Sequence, residues 1–376
     1  MSIKNVQARL GRIVDSFDAQ IEYIEKRGVA DYYGSIFETV PQSDYLVLTG
    51  RGRLRHIADK MSASLASTGT PSYYMDTSDD PSHLNRLGPS DQVLLVHSSN
   101  EPRGYLTHLL DGLGSDVPLN VITDRRDGWP SRPGQVLVVN APDTVPPGVE
   151  PDILSMALGD TLLAGLESAR EFTEVDFLKD HPKGSLGKNI SADQKQGEAK
   201  SLDYLPPAEQ ALQALREERN GIAALWDQLD RDALAVWLET FSRGGKRIIT
   251  TGMGKPGYCM RYLTVLMNEL GSASFYVHPA ECVHGDLGRI GDGSVVVAYS
   301  HSGETDEMLN ILPRMKERGA TLLSLTNNIE STLGQQSDVV LKAGAPEVDP
   351  IRKAPTGSTV AALSLATALV ASSIEV

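Results

Sequence analysis

Residues Ala298–Leu309 read AYSHSGETDEML. The residues that lead in, Val295–Val297 and Tyr299, are β-branched or aromatic, and those that follow take a helical pattern. The spacing predicts a strand, a hydroxyl-rich turn and a helix. In a doubly wound sheet such a turn lies beyond the carboxyl end of its strand, where ligands sit. A helix start there offers free N–H groups and partial positive charge. Ser300, Ser302 and Thr305 add hydroxyls, which suits a phosphate. The competing reading is ordinary serine N-capping with acids in the first turn. A second hydroxyl-rich helix start, APTGST at Ala354–Thr359, offers Thr356, Ser358 and Thr359, which favours the phosphate.

Working outward, an imperfect copy of the turn, LVHSSNEPRGYL, occurs at Leu95–Leu106. The runs YLVLTG, QVLLVH, LNVIT and QVLVVN in the first half are answered by RIITTG, SVVVAYS, LLSLT and DVVLKAG in the second. Near-continuous apolar runs separated by helical patterns predict parallel sheets covered on both faces. TGRG at Thr49–Gly52 matches TGMG at Thr251–Gly254, an offset of 202, and Glu101 matches Glu304 at 203. Thr123 matches Thr326 at 203, and APD (Ala141–Asp143) matches APE (Ala345–Glu347) at 204. So slow a drift is the mark of one unit written twice. Both copies open with a helix, at NVQARLGRIVDSFDAQIEYIEK and EQALQALREERNGIAALWDQL. The polar stretch between them ends in a proline pair and reads as a linker, with a new helix starting after Pro207. The expected division is residues 1–190, a linker at 191–207, and residues 208–376.

The 376 residues are 40% hydrophobic, enough for two cores. A net charge of −14 with no basic block argues against nucleic acid or an anionic membrane surface as a partner. Two cysteines, Cys259 and Cys282, without zinc-type spacing suit a reducing compartment. The first residues lack the apolar core of a signal peptide, and no run reaches the length of a membrane span. A cytoplasmic protein is expected. The apolar segment STVAALSLATALVASS reads as a buried core helix.

Two common phosphate motifs fail. GMGKPG at Gly252–Gly257 fits GxGxxG, but His278 stands where the ribose-binding acid should follow the second strand, SFYV. As a P-loop it has Ile249 for the first glycine and Pro256 for the Ser/Thr. Lys255 is left as a cation beside a pocket, or as a plain surface lysine.

TGMGKPG, VHPAECVHGDLGRI, SHSGETDE and APEVDPIRKAPTGST, in that order, resemble the sugar isomerase (SIS) domain of the D-arabinose-5-phosphate isomerase family. The resemblance runs from about Arg247 onward. The first half resembles the family more distantly, through ASTGTP (Ala66–Pro71) and DFLKDHPKGSLGKNI (Asp176–Ile190). The regulatory CBS pair that often follows is not recognised here. The implied fold is α/β: two SIS-type doubly wound parallel-sheet domains, flavodoxin-like, in tandem. The implied activity is aldose–ketose isomerisation of a sugar phosphate, with D-arabinose 5-phosphate and D-ribulose 5-phosphate as the expected pair.

The resemblance implies four catalytic positions: Lys255, Glu304, Glu347 and His181. Gly254, Ser300, Ser302, Thr305, Thr356, Ser358 and Thr359 are the implied substrate-binding positions, and His278 and His284 line the pocket. The residue types suit the chemistry. Moving a proton between C1 and C2 through an enediol needs a carboxylate base, a cation near the developing oxyanion and an acid–base group to open the ring. No metal and no cofactor is required; His278, Cys282 and His284 would be the metal-ligand alternative. Departures from the family pattern are Pro256 for a serine, His301 for an asparagine, and Ile351–Lys353, which adds two cations.

The first copy has lost most of the set. Arg53 stands for Lys255, Asn100 for the glycine of SGET, and DTVPPGVEPDI (Asp143–Ile153) for the loop carrying Glu347. Arginine cannot give up its proton. The first copy is therefore expected to be degenerate. Its HPKGSLG tail at His181–Gly187 has no counterpart after the second copy, so His181 is expected to complete the second site. The alternative role for that tail is a helix cap. A family of single-domain tetramers implies a homodimer of four SIS-type domains here. The alternative function is a regulatory protein that binds a sugar phosphate without turnover.

Overall fold

The structure, a computed structural model, describes residues 3–373 apart from residues 79–80, 126, 130–131, 133, 142–147, 182–201 and 244–246. Residues 191–201 of the expected linker, most of the HPKGSLG tail and part of the Asp143–Ile153 loop lie outside the described residues. In the first half, β1 (Leu46–Gly50), β2 (Ser72–Tyr74), β3 (Gln92–His97), β4 (Leu119–Thr123) and β5 (Val136–Val138) form one sheet. In the second, β6 (Ile248–Gly252), β7 (Ser274–Tyr276), β8 (Val295–Tyr299), β9 (Thr321–Thr326) and β10 (Val339–Lys342) form another. The orders are β2-β1-β3-β4-β5 and β7-β6-β8-β9-β10, so the two sheets have one topology. Every pairing is parallel. This is the flavodoxin-like order, with a switch point beside the first strand of each half.

The strands expected from apolar runs form, with ends within two residues of the expectation. β2 is the strand the apolar runs do not reveal. It has three residues at a sheet edge, too few to make a run. Its place in the repeat is fixed by tyrosines. Tyr74 Oη donates to Gly50 O at 3.2 Å, and Tyr276 Oη donates to Gly252 O at 2.5 Å, again 202 residues on.

The central strands are buried on both faces, and their alternate residues enter different cores. Leu46 and Leu48 of β1, and Val295, Val297 and Tyr299 of β8, enter one continuous core drawn from both halves. Val47 and Val93 face a cluster of the first half alone, and Val296 and Ala298 a cluster of the second alone. Each sheet thus turns one face inward to a shared core and the other to its own covering helices.

The shared core is made of helices that cross between the halves. Helix Pro207–Gln228, which opens the second half, packs on helix Glu150–Arg170 of the first. Helix Ile3–Arg27 of the first half packs on helix Gly357–Ser373 of the second. Helices Leu54–Ala66 and Lys255–Glu269 pack directly on each other. The last helix, Gly357–Ser373, is buried along its whole length, as its uniformly apolar sequence requires. Among the described residues, no helix is long and apolar enough to cross a membrane.

Candidate functional site

Strand β6 ends at Gly252, and the chain turns into helix Lys255–Glu269 within two residues. Gly254 makes this turn at φ 65°, in the left-handed region that glycine occupies without strain. The turn leaves Lys255 at the first helical position, aimed at the other half. Its Nζ lies 3.2 Å from Ser67 Oγ, at the end of helix Leu54–Ala66. Burial, and after it the nearby charge of Lys60, pushes the Lys255 amine down to about 8, with Asp160 opposing.

Glu347 lies in the loop after β10, and its carboxylate closes the start of helix Gly357–Ser373. Oε2 accepts from Thr356 N at 2.7 Å and from Ser358 N at 3.2 Å, and Oε1 accepts from Ser358 Oγ at 2.5 Å. Thr356 Oγ1 lies 3.2 Å from Oε2. A carboxylate at a helix N-terminus is favoured by the free N–H groups and the dipole. The Thr356 and Ser358 hydroxyls, expected on a phosphate, thus hold Glu347 here. The Thr359 hydroxyl is spent inside its own helix, on Thr356 O at 2.7 Å.

The loop after β8 is tied to itself. Ser300 Oγ and Thr305 Oγ1 are 2.9 Å apart, Gly303 N donates to Ser300 Oγ at 3.1 Å, and Glu304 N donates to Ser302 Oγ at 3.2 Å. Gly303 has φ 71°, and a Cβ there would meet Ser331 Oγ at 1.9 Å. Glu304 is exposed, and its Oε1 accepts from Thr332 N at 2.7 Å. The structure therefore holds Glu304 as an anchor of this loop, apart from the Glu347 cradle.

Between the halves lies a cluster that the sequence reading did not single out. Lys60 of helix Leu54–Ala66 is wholly buried, with Nζ 2.5 and 2.7 Å from the two oxygens of buried Asp160. Glu218 of helix Pro207–Gln228 is buried beside them. Burial, and after it the Asp160 charge, push the Glu218 carboxyl well up. Asp160 is itself pushed up to about 6, by burial against the pull of Lys60. Asp160 is a charge neighbour of both Lys255 and Glu347, so the cluster bridges the two. The signal in the sequence was a lysine within LRHIADKMSASLA and an aspartate within ILSMALGDTLLAGL, charges on otherwise apolar helix faces.

The remaining candidates spread outward. His278 precedes the short helix Pro279–Cys282, and its Nδ1 is buried without a hydrogen-bond partner among the described residues. It shares a cleft of about 340 Å³ with His56, Arg261, Tyr276 and Asp286. His284 is exposed and Cys282 buried. Among the described residues, no three His, Cys, Asp or Glu side chains form a group that could hold a metal ion. The two cations of Ile351–Lys353 are engaged within the chain. Arg352 pairs with Glu217 and donates to Glu347 O, and Lys353 Nζ lies 3.1 Å from Glu174.

His181 follows helix Glu174–Asp180, which a Thr173–Asp176 capping box opens. Its ring stacks on Phe177 at 3.9 Å between centroids, and Nδ1 lies 2.9 Å from Phe177 O. Phe172 and Phe177 pack with Ile351, so the tail starts from the second half's Glu347–Lys353 loop.

The first half answers this site with an internal ion cluster. Arg53 lies 3.0 Å from Asp152 and 3.0 Å from Glu269, and Tyr262 Oη donates to Asp152 at 2.6 Å. Asp152 sits in the first turn of helix Glu150–Arg170, the counterpart of the helix that Glu347 caps. Glu101, the counterpart of Glu304, has both oxygens buried without hydrogen-bond partners among the described residues, and burial pushes it up to about 7.

A SIS domain model matches residues 243–372. Arabinose 5-phosphate isomerase KdsD of Pseudomonas aeruginosa is 35% identical over 178 residues, which cover 47% of this chain and 53% of that one. The chain thus spans about half the length of such relatives. Two solved structures match nearly the whole chain in fold. The C-terminal domain of glucosamine-fructose-6-phosphate aminotransferase from Francisella tularensis superposes with a TM-score of 0.62 at 12% identity, covering 98% of this chain and 95% of that one. Tagatose-6-phosphate ketose/aldose isomerase from Escherichia coli does so with a TM-score of 0.58 at 15% identity, covering 98% and 91%. Residues 243–372 thus match a SIS domain, and 178 residues of the chain are similar to an arabinose 5-phosphate isomerase.

Proposed function

We propose that the chain is an aldose–ketose isomerase that interconverts D-arabinose 5-phosphate and D-ribulose 5-phosphate through an enediol. The observation that carries this reading is the 35% identity over 178 residues to an arabinose 5-phosphate isomerase, together with the presence of Lys255, Glu304 and Glu347 at the positions the resemblance implies. In this reading Glu347 moves the proton between C1 and C2. Its network holds the carboxylate in one orientation, which proximity catalysis requires. Lys255 balances the negative charge that develops on the enediol oxygen. An amine near 8 also exchanges its proton at working pH, which suits a group that must follow that charge.

His181 opens the sugar ring as acid and base. Ser300, Ser302 and Thr305, at the carboxyl end of β8, take the phosphate once they exchange their present mutual bonds. His278 and His284 border the sugar. No metal or cofactor enters these steps. The protein works in the cytoplasm as a homodimer of four SIS-type domains, each chain being a degenerate unit of residues 1–190, a linker at 191–207 and an intact unit of residues 208–376.

The test is to incubate the purified protein with a panel of pentose and hexose phosphates and follow aldose–ketose exchange by NMR. Exchange confined to the arabinose and ribulose 5-phosphates is the expected result. Exchange of another pair overturns the substrate. Binding without exchange overturns the activity and leaves a sugar-phosphate-binding regulatory protein.

A further inference from the structure

A cleft of about 760 Å³ opens at the amino ends of β1, β2 and β3, the opposite end of the first sheet from the loop of Glu101. That volume is in the range of small-molecule sites, about 300–1,000 Å³. Its walls are tied together by backbone bonds. Asp44 N donates to Ser90 O at 2.8 Å, Leu46 N to Pro71 O at 2.9 Å and Gln92 N to Tyr45 O at 2.9 Å. Met75 and Leu87 line the cleft and pack against the first half's own cluster, which holds Val47, Leu84 and Val93. Tyr45 and Tyr73 also line it. They are 51% and 38% exposed, with ring centroids 5.6 Å apart.

The second half shows that the fold does not require these residues. Leu84 and Leu287 are buried in corresponding clusters. Gly88 N donates to Asp91 Oδ2 at 3.0 Å, and Gly291 N donates to Ser294 Oγ at 3.1 Å, so this stretch aligns at an offset of 203. At that offset Arg86 answers Arg289, and His83 answers Asp286, which pairs with Arg289 at 3.2 Å. The first half has exchanged the arginine's acid for an imidazole. His83 and Arg86 stand three residues apart in the 3₁₀ turn Pro81–Arg86, which puts both on one side of it, and both line the cleft. At an offset of 202, Tyr45 answers Arg247 and Tyr73 answers Phe275, which packs against the second half's own cluster. The first half has turned rings outward and set two nitrogen donors beside them.

We propose that this cleft binds a nucleoside monophosphate, with Tyr45 and Tyr73 on the base and Arg86 and His83 on the phosphate. Aromatic side chains take a base by stacking, whatever its identity. A guanidinium grips phosphate oxygens through paired N–H donors. Asp44 and Asp91 also line the cleft and are acceptors for ribose hydroxyls; Gly88 N holds one Asp91 oxygen and so fixes that carboxylate. With two carboxylates beside Arg86 the cleft has no net positive charge, so an anion without a base is not what it selects. The ligand belongs to the first half alone, and the inference does not rest on the isomerase reading.

The experiment is calorimetric titration of the full chain with AMP, and with adenosine as the part of it that lacks the phosphate. AMP is expected to saturate near one equivalent per chain, unchanged by saturating D-arabinose 5-phosphate. Tyr73→Ala is expected to weaken AMP and adenosine alike, by about tenfold or more. Arg86→Ala is expected to weaken AMP by a similar factor and to leave adenosine unchanged. Both side chains are exposed, so the variants keep the fold. No binding of AMP overturns the proposal, as does displacement of AMP by the sugar phosphate, or equal affinity in the parent and both variants. A second copy of the chain seated in the cleft would show as a native mass that falls in Tyr73→Ala while AMP stays unbound, and that result overturns it too. The titration reads no turnover, so its outcome is separate from that of the sugar-phosphate panel.

Discussion

Lys255 Nζ lies 3.2 Å from Ser67 Oγ, and the same relationship recurs with the halves exchanged: Arg53 Nη1 lies 3.0 Å from Glu269 Oε2. Both members move by 202 residues. The first residue of one helix therefore meets the end of the other, and the two helices run antiparallel across the interface. Substitution has turned these two equivalent contacts to different ends. Arg53 meets a carboxylate on each side and its charge is balanced. Lys255 meets a hydroxyl, and burial with the charge of Lys60 holds its amine down to about 8. One contact locks the halves; the other leaves a cation in search of an anion.

The chain is accordingly expected to hold one sugar phosphate. In the first half Asp152 stands at the helix start where an anionic ligand would go, already bound to Arg53 and Tyr262. Calorimetric titration with D-arabinose 5-phosphate should saturate near one equivalent per chain. Two equal sites would show that Arg53 and Asp152 part readily to admit a ligand.

Glu347→Gln should abolish turnover and leave binding and stability nearly unchanged. Gln keeps an oxygen to accept from Thr356 N and Ser358 N, and its amide can donate to Ser358 Oγ where Oε1 now accepts. Only the basicity is lost. Loss of a general base costs about 10²–10⁴-fold in rate, while a preserved helix cap spares about 1 kcal/mol of stability. If steady-state assays find a near-normal rate, proton transfer passes to Glu304.

Asp349 should make the fold less stable as pH rises. Burial pushes its carboxyl up to about 7, above the ordinary 3.8 of an aspartate, while Lys353 N donates to Oδ2 at 2.9 Å. The folded state therefore binds the proton more tightly than the unfolded chain. Stability from this group is fully present below 3.8, is lost between 3.8 and about 7, and stays lost above. The loss is on the order of a few kcal/mol, at about 1.4 kcal/mol per unit. Asp349→Asn keeps an acceptor for Lys353 N and removes the titration. Urea unfolding should show the variant gaining more over the parent at pH 8 than at pH 5. An equal gain at both would mean that Asp349 does not titrate in this range.

The parallel sheets were legible in the sequence, because buried parallel strands are written as unbroken apolar runs, whereas their flavodoxin-like order was legible only through the family resemblance. Lys255 and Glu347 were legible only as candidates, the first beside a glycine turn and the second through the family resemblance. The sequence did not carry β2, whose three residues make no run. Nor did it carry Lys60, Asp160 and Glu218, which sit in three helices and become neighbours only when helices from the two halves cross. Single charges in amphipathic helices look like exposed positions until the second packing face is known. The hydroxyls of Thr356 and Ser358 show the opposite limit. Their donor character was legible, but whether they face a phosphate or the chain's own Glu347 depends on how a loop folds back.

His181 separates a catalytic from a structural role most sharply. Helix Glu174–Asp180 is anchored to the second half by Lys353–Glu174 at 3.1 Å and by Phe177 against Ile351, so the residue after it leaves from the edge of the Glu347 loop. If it opens the sugar ring, His181→Ala should cut the rate by about 10²–10⁴-fold with little change in stability. If it only stacks on Phe177 and ends its helix, the same change should cost about 1 kcal/mol of stability and little activity. Thermal unfolding and steady-state kinetics on the one variant read both quantities. A ring-opened substrate analogue adds a control: it should bypass the defect if ring opening is the lost step. Mixing His181→Ala with Lys255→Ala under subunit exchange then locates the histidine. Service within its own chain restores nothing, whereas service across a dimer returns activity to the mixed species. Normal turnover by His181→Ala alone would return the tail to a structural role.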